Sequence, residues 1–264
     1  MDITAQLDAG IRFFDLRAGY VGKTLTAFRG NWNLNIPFAM IFQYSYNWLA
    51  ANPTKAIIAQ IKGDQDSAKD QDIPNSVYTM INGNASWVTT ATIPTLNQIK
   101  GKIQLFRRFP RPDALNNTTT PFGINATNWP FNQHSTISHD NVTLYAQDKC
   151  SFPGKGSAAL ASKTAMIQSF IDTAVASLGP PNAWYIGFSS YTTSGGIPDS
   201  NEDYATASLG GNTPMNIALE QFVQSKGGFG KPARVGTLLM DYPEEPTGML
   251  IDRIIYTNNI KPSL

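Results

Sequence analysis

Cysteine and histidine are nearly absent from this chain of 264 residues. With one cysteine, Cys150, an intramolecular disulfide is excluded, and a lone thiol of this kind reads as a small buried residue. Two histidines and one cysteine are a poor stock for a zinc site, and no HExxH pattern occurs. Charge is sparse as well. Only 15% of residues are charged and the net charge is +1, which argues against bulk nucleic-acid binding and against a polybasic membrane patch. No apolar run is long enough for a transmembrane helix. A Walker loop, a GxGxxG after a strand and a Gly-x-Ser-x-Gly elbow are all missing, so nucleotide-binding and serine-hydrolase chemistry have no motif here.

What the chain does have is apolar content, 42%, enough for a sizeable core in one large domain spanning residues 1–264. Asn, Ser and Thr are plentiful. Glycosylation sequons begin at Asn84, Asn116, Asn117, Asn125 and Asn141, which fits an exported glycoprotein. Met1-Asp2-Ile3-Thr4 runs straight into helix-like sequence without a signal peptide, so the expectation is a secreted protein whose leader lies outside this sequence. A monomer is expected.

Strands alternate with helices or long loops, the pattern of a parallel α/β fold. A helix over 3–9 is followed by a strand from Ile11 to Arg17. A turn over Gly19–Lys23 leads to a short strand, Leu25–Phe28. Phe38 to Ala51 reads as an aromatic-rich amphipathic helix stopped by Pro53. The near-continuous apolar runs Ala56–Ile61 and Ile103–Phe106 suit strands buried on both faces. Residues 110–140 read as a long functional or inserted loop, with His134 and His139 as solvated residues within it. Val142–Gln147, Ala183–Phe188 and Arg234–Met240 are further strands. Helices are expected over 74–83, 158–178, 216–224 and 248–257, with a Gly- and Ser-rich loop after Ser190.

Five of the six principal strands end in a polar or charged group: Arg17, Lys62, Arg108, Asp148 and Asp241. In a parallel barrel such ends converge on one mouth, where chemistry is carried out. Asp15 and Arg17, two residues apart, share one side of their strand. A planar, permanently charged guanidinium is suited to phosphate, and several cations with carboxylates suit a phosphorylated polyol.

These strand ends, in this order, resemble the X domain of phosphatidylinositol-specific phospholipase C in its small single-domain bacterial and fungal form. The resemblance rests on Gln6-Leu-Asp-Ala-Gly-Ile-Arg-Phe-Phe-Asp-Leu-Arg17, on Asn52-Pro53 with Ala56-Ile-Ile-Ala-Gln-Ile-Lys62, and on Gly101-Lys-Ile-Gln-Leu-Phe-Arg-Arg108. It continues through Val142–Lys149, Ala183–Ser190 and Pro232–Tyr242. It implies a distorted TIM-type (β/α)8 barrel, here lacking its first strand. It also implies phosphodiester cleavage by attack of the inositol 2-hydroxyl on phosphorus, with diacylglycerol leaving. A phosphoinositide or related phospholipid at a membrane surface is then the partner. Arg17 would clamp the phosphate, with Asp15 supporting it and without a metal or other cofactor. Asp241 would orient the general base, and Lys62, Arg108, Asp148 and Asp64 would bind inositol hydroxyls.

Two departures accompany the resemblance. The family's general-base His lies on the first strand, upstream of Gln6, and this chain is expected to begin too late to contain it. At the position of the general-acid His the chain has Arg29, before Gly30. A guanidinium stabilises charge but holds its proton too tightly for general-acid work near neutral pH. A non-catalytic inositol-phosphate or phospholipid-binding protein is therefore the alternative, and another phosphodiester lipid is a further option. The aromatics Trp32, Trp129 and Phe131 can touch a membrane or pack inside the domain, the second being the expectation.

Overall fold

The computed structural model describes residues 1–64, 72–151, 156–177, 182–191, 201–245 and 247–259. The chain divides into two units, Met1–Trp129 with Ser138–Val142, and Pro130–Ile137 with Thr143–Leu264.

The first unit starts with α1 (Ile3–Asp8), whose cap Asp2 accepts a hydrogen bond from the Ala5 amide at 2.7 Å. Strand β1 (Phe13–Val21) follows, then β2 (Thr24–Arg29) and β3 (Trp32–Pro37). Helix α2 (Phe38–Ala51) buries Phe38, Ile41, Phe42, Ser45, Trp48 and Leu49, one face at helical spacing. Its Trp48 indole donates to Asp8 at 2.7 Å, tying α2 to the end of α1. Next come β4 (Ile57–Gly63), α3 (Asp72–Ile81), β5 (Trp87–Val88), α4 (Leu96–Ile99), β6 (Ile103–Arg108), a 3-10 turn (Asp113–Leu115) and β7 (Ile124–Asn125).

The sheet order is β3-β2-β1-β4-β6-β5, with β7 also on β6. Strands β1, β4 and β6 run parallel, whereas β1, β2 and β3 are antiparallel neighbours. Apolar residues of α2, β1, β4 and β6 form the core, among them Phe14, Phe42, Ile57, Ile61 and Leu105. This revises the reading of β1 and β2. Gly19 is not in a turn: it pairs with Thr26 within the strand, and the reversal is made at Gly22 (φ 60°). Strand β3 has no buried-strand signature in the sequence, because Trp32, Leu34 and Ile36 face outward rather than into a core.

Strand β8 (His134–His139) turns through Asp140 and Asn141, both at positive φ, into β9 (Val142–Gln147). The expected loop over 110–140 is thus corrected: it holds a 3-10 turn, β7 and β8, and both histidines lie on β8. In chain order there follow α5 (Gly156–Ala176), β10 (Ala183–Phe188), α6 (Asn201–Thr206), α7 (Met215–Lys226), β11 (Thr237–Leu239) and α8 (Met249–Thr257). The sheet order is β11-β10-β9-β8, and β10 is parallel to both β9 and β11. Leu160, Ile167, Leu219, Val223 and Leu250 are part of the second unit's core. The loop expected after Ser190 falls largely on residues 192–200, outside the described residues.

Candidate functional site

Parallel pairing fixes which strand ends stand side by side. Arg17 is the register partner of Lys62, and Lys62 is the register partner of Arg108. Side chains in register share a sheet face, so β1, β4 and β6 carry a row of three cations. One level earlier, Asp15 is in register with Gln60.

The carboxylates hold the cations. Asp15 Oδ2 accepts from Arg17 Nε at 3.1 Å and lies 3.1 Å from Nη2. Its other oxygen accepts from the buried Gln60 amide at 2.6 Å. Asp64, two residues past Lys62 and on the same side, lies 3.4 Å from Lys62 Nζ and 3.6 Å from Arg17 Nη1. It also accepts from the Gly30 amide, which draws the Arg29–Gly30 turn against the cluster. The side chains of Arg17 and Lys62 are 33% and 23% exposed, those of Asp15 and Asp64 only 13% and 10%. The carboxylates thus sit deeper and aim the cations toward solvent, the polarity an anion requires.

Arg107 and Arg108 part ways, as alternation on a strand demands. The Arg108 guanidinium lies 4.3 Å from the Trp129 ring centroid, a cation–π contact with a buried indole. Trp129 thus packs inside, as expected, while Trp32 and Phe131 are exposed, against expectation. Arg107 is buried on the other face and donates to Phe109 O and Thr127 Oγ1, each at 2.9 Å. Burial lowers its pKa to about 10, with Arg111 adding to the effect and Asp140 opposing it.

In the second unit, Asp148 and Asp241 follow β9 and β11. The Asp148 amide donates to Gln133 O at 3.2 Å. The buried Asn216 of α7 donates from Nδ2 to the carbonyls of Asp241, Tyr242 and Glu245 at 3.0–3.2 Å, fixing the chain after β11. Lys163, on the buried face of α5, donates to Lys149 O at 2.6 Å and Gln147 Oε1 at 3.5 Å. Within the first unit, then, Arg17, Asp15, Lys62 and Asp64 are brought together, with Arg108 in their row and the amide of Gly30, the residue after Arg29, on Asp64. Asp148 and Asp241 belong to the second unit, and the charge of each raises the Lys163 pKa. Gln60, Asn216 and Lys163 were not anticipated. Each is a polar residue at a core-facing position of a strand or helix, and that is the signal that marks them.

The chain is 27% identical over 263 residues to 1-phosphatidylinositol phosphodiesterase of Listeria monocytogenes, covering 98% of this chain and 71% of that protein. A solved structure of phosphatidylinositol-specific phospholipase C from Staphylococcus aureus matches 96% of this chain and 83% of its own, at TM-score 0.76 and 21% identity. The structure of the Listeria monocytogenes phosphatidylinositol-specific phospholipase C matches 96% of this chain and 82% of its own, at TM-score 0.67 and 22% identity. The chain is similar in sequence and in fold to these bacterial phosphatidylinositol-specific phospholipases C. The family resemblance seen in the strand ends is thereby confirmed, and the expected α/β fold is the fold of these phospholipases. No protein-family model matches the chain. Among the described residues no helix is long and apolar enough to cross a membrane.

Proposed function

We propose that this protein is a phosphoric diester hydrolase of the phosphatidylinositol-specific phospholipase C type, acting on a phosphoinositide. The observation that carries the reading is the in-register row Arg17–Lys62–Arg108 with Asp15 and Asp64 set beneath it. Arg17 and Lys62 take the phosphoryl oxygens and stabilise the charge that grows on them. The inositol 2-hydroxyl oxygen forms the new bond to phosphorus. The bond from phosphorus to the glycerol oxygen breaks, and the proton lost by the hydroxyl is balanced by the one diacylglycerol gains. Asp148 and Asp241 keep the roles the resemblance implies, in inositol binding and in orienting a base.

A second reading is favoured by Arg29, which stands where the family has its general acid: a protein that binds phosphoinositide headgroups without cleaving them. One experiment separates the two. Calorimetry with inositol 1-phosphate reports the pocket, and phosphorus NMR on phosphatidylinositol vesicles reports cyclic inositol phosphate. Binding with product supports the hydrolase, and binding without product supports the binder. Neither binding nor product overturns both. Export belongs to the same reading: the sequon residues Asn116, Asn117 and Asn141 are exposed, and a glycosidase-sensitive mass from a eukaryotic host is the expected result. A lipid surface as partner fits the exposed apolar side of β3, where Trp32 is 81% exposed beside Leu34 and Ile36.

A further inference from the structure

A lysine in an apolar stripe is costly, and Lys163 is such a lysine. Helix α5 buries Ala159, Leu160, Lys163, Ile167, Phe170, Ile171 and Ala174 on one face, and Lys163 is fully buried. An ammonium is stable there only with fixed acceptors and counter-charges. Its acceptors are Lys149 O and Gln147 Oε1, both at the end of β9. Gln147 is itself fully buried and accepts from the Phe188 amide at 3.3 Å, so the ammonium is anchored to the β9–β10 pairing. The charges that act on it are those of Cys150 and Asp148 after β9 and of Asp241 after β11, all of which raise its pKa, while the pKa of His134 on β8 is lowered by burial and then by Lys163 and Lys149. Two of these, Asp148 and Asp241, end the two strands to which the functional reading assigns inositol binding and base orientation.

We propose that Lys163 is a positioning residue, an internal counter-ion to Asp148 and Asp241 that sets the chain that carries them. The ligand-binding half of this proposal rests on the phosphodiesterase reading above; the counter-ion half does not. Burial pulls the Lys163 pKa down to about 8, with Cys150, Asp148 and Asp241 pulling the other way. The counter-charge is therefore lost just above neutral pH, and a function that depends on it falls with it.

Cys150 makes the first half testable without any ligand. It is the sole cysteine of the chain, it is partly exposed, and its charge is the first of those that draw the Lys163 pKa up, so its reactivity reports on the ammonium. In Lys163→Met, iodoacetamide alkylation of Cys150 at pH 7 is expected to slow by about three- to tenfold, whereas Lys163→Arg keeps close to the wild-type rate. Affinity for inositol 1-phosphate is expected to fall about tenfold in Lys163→Met. In the wild type it weakens above about pH 8, and in Lys163→Arg that alkaline limb is absent because a guanidinium stays charged. If Lys163→Met does not fold, the wild type and Lys163→Arg alone decide the matter through the alkaline limb. Unchanged alkylation in a folded Lys163→Met overturns the counter-ion. Identical pH profiles of binding in wild type and Lys163→Arg overturn the positioning role. A wild type that binds no inositol 1-phosphate at any pH overturns the phosphodiesterase reading and the positioning role built on it, while the alkylation rates still decide the counter-ion.

Discussion

Arg17 and Lys62 stand opposite one another in the parallel register of β1 and β4, and Asp64 lies within ion-pair distance of both, at 3.6 and 3.4 Å. Partly exposed ion pairs of this kind contribute little to stability, roughly 0–1 kcal/mol each, so their value is orientation. Removing either cation is therefore expected to cost ligand rather than fold. A charge-assisted hydrogen bond is worth about 1.5–3 kcal/mol, so Arg17→Ala and Lys62→Ala should each weaken inositol 1-phosphate binding by about 10- to 150-fold. Melting temperatures should stay near that of the wild type. Arg17→Lys should recover only part of the loss, because an ammonium cannot bond Asp15 and present a fork to phosphate at once.

Asp64 carries a different burden. It accepts the Gly30 amide and so fastens the β2–β3 reversal to the end of β4. Asp64→Ala leaves that amide without its partner and is expected to lower stability by about 1–2 kcal/mol in urea unfolding. Asp64→Asn keeps an acceptor oxygen and should restore most of that loss while still abolishing both ion pairs. Equal destabilisation by the two variants would show that the ion pairs, not the amide, hold the turn.

The cations were legible in the sequence because each ends an apolar run, and an apolar run ending in charge is what a buried parallel strand looks like. Arg17, Lys62 and Arg108 could be picked out that way, though their common level depends on a register that no single segment states. Gln60 and Lys163 were not legible, for the opposite reason. Polar residues inside apolar patterns read as exceptions until the partner is known, and their partners, Asp15 and Lys149 O, lie 45 and 14 residues away. Strand β8 looks like loop in the sequence because His134–His139 buries only Ile137, so no alternation announces it. Gly19 misled by residue type alone: a glycine is permitted in a turn but does not require one, and the reversal fell at Gly22.

Gly123 is a glycine by necessity. It precedes β7 at φ 76°, and a Cβ there would lie 2.7 Å from Leu105 Cγ and 2.8 Å from Leu105 O. Leu105 is a fully buried core residue of β6 and its carbonyl cannot move aside. Left-handed strain of about 1–2 kcal/mol adds to an overpacking cost of about 1–3 kcal/mol, so Gly123→Ala is expected to lose about 2–5 kcal/mol. Gly22→Ala, at φ 60° in open space, should show the strain alone. A smaller loss for Gly123→Ala than for Gly22→Ala in denaturant unfolding would contradict the close approach of β7 to β6.

Lys163 predicts a slope of stability with pH as well as a loss of function. Its pKa is about 8 in the folded protein against an ordinary 10.5, with burial as the main cause. Below pH 8 the ammonium is charged in both folded and unfolded chains, and the folded state bears the desolvation. Between about pH 8 and 10.5 the unfolded chain still holds a proton that the folded protein has released, so stability rises with pH across that window. The difference corresponds to roughly 3 kcal/mol in total. Lys163→Met has no such proton, so the gap between wild type and variant should move in favour of the wild type by about that amount from pH 7.5 to 10.5 in urea unfolding. With Cys150→Ser in both proteins the coupled thiol drops out of the comparison, so parallel curves would mean that Lys163 is not desolvated. Over the same interval inositol 1-phosphate binding is expected to weaken. A protein that becomes more stable as it loses its ligand is the behaviour of a buried counter-ion kept for function, because a lysine kept for the fold alone would move both quantities together.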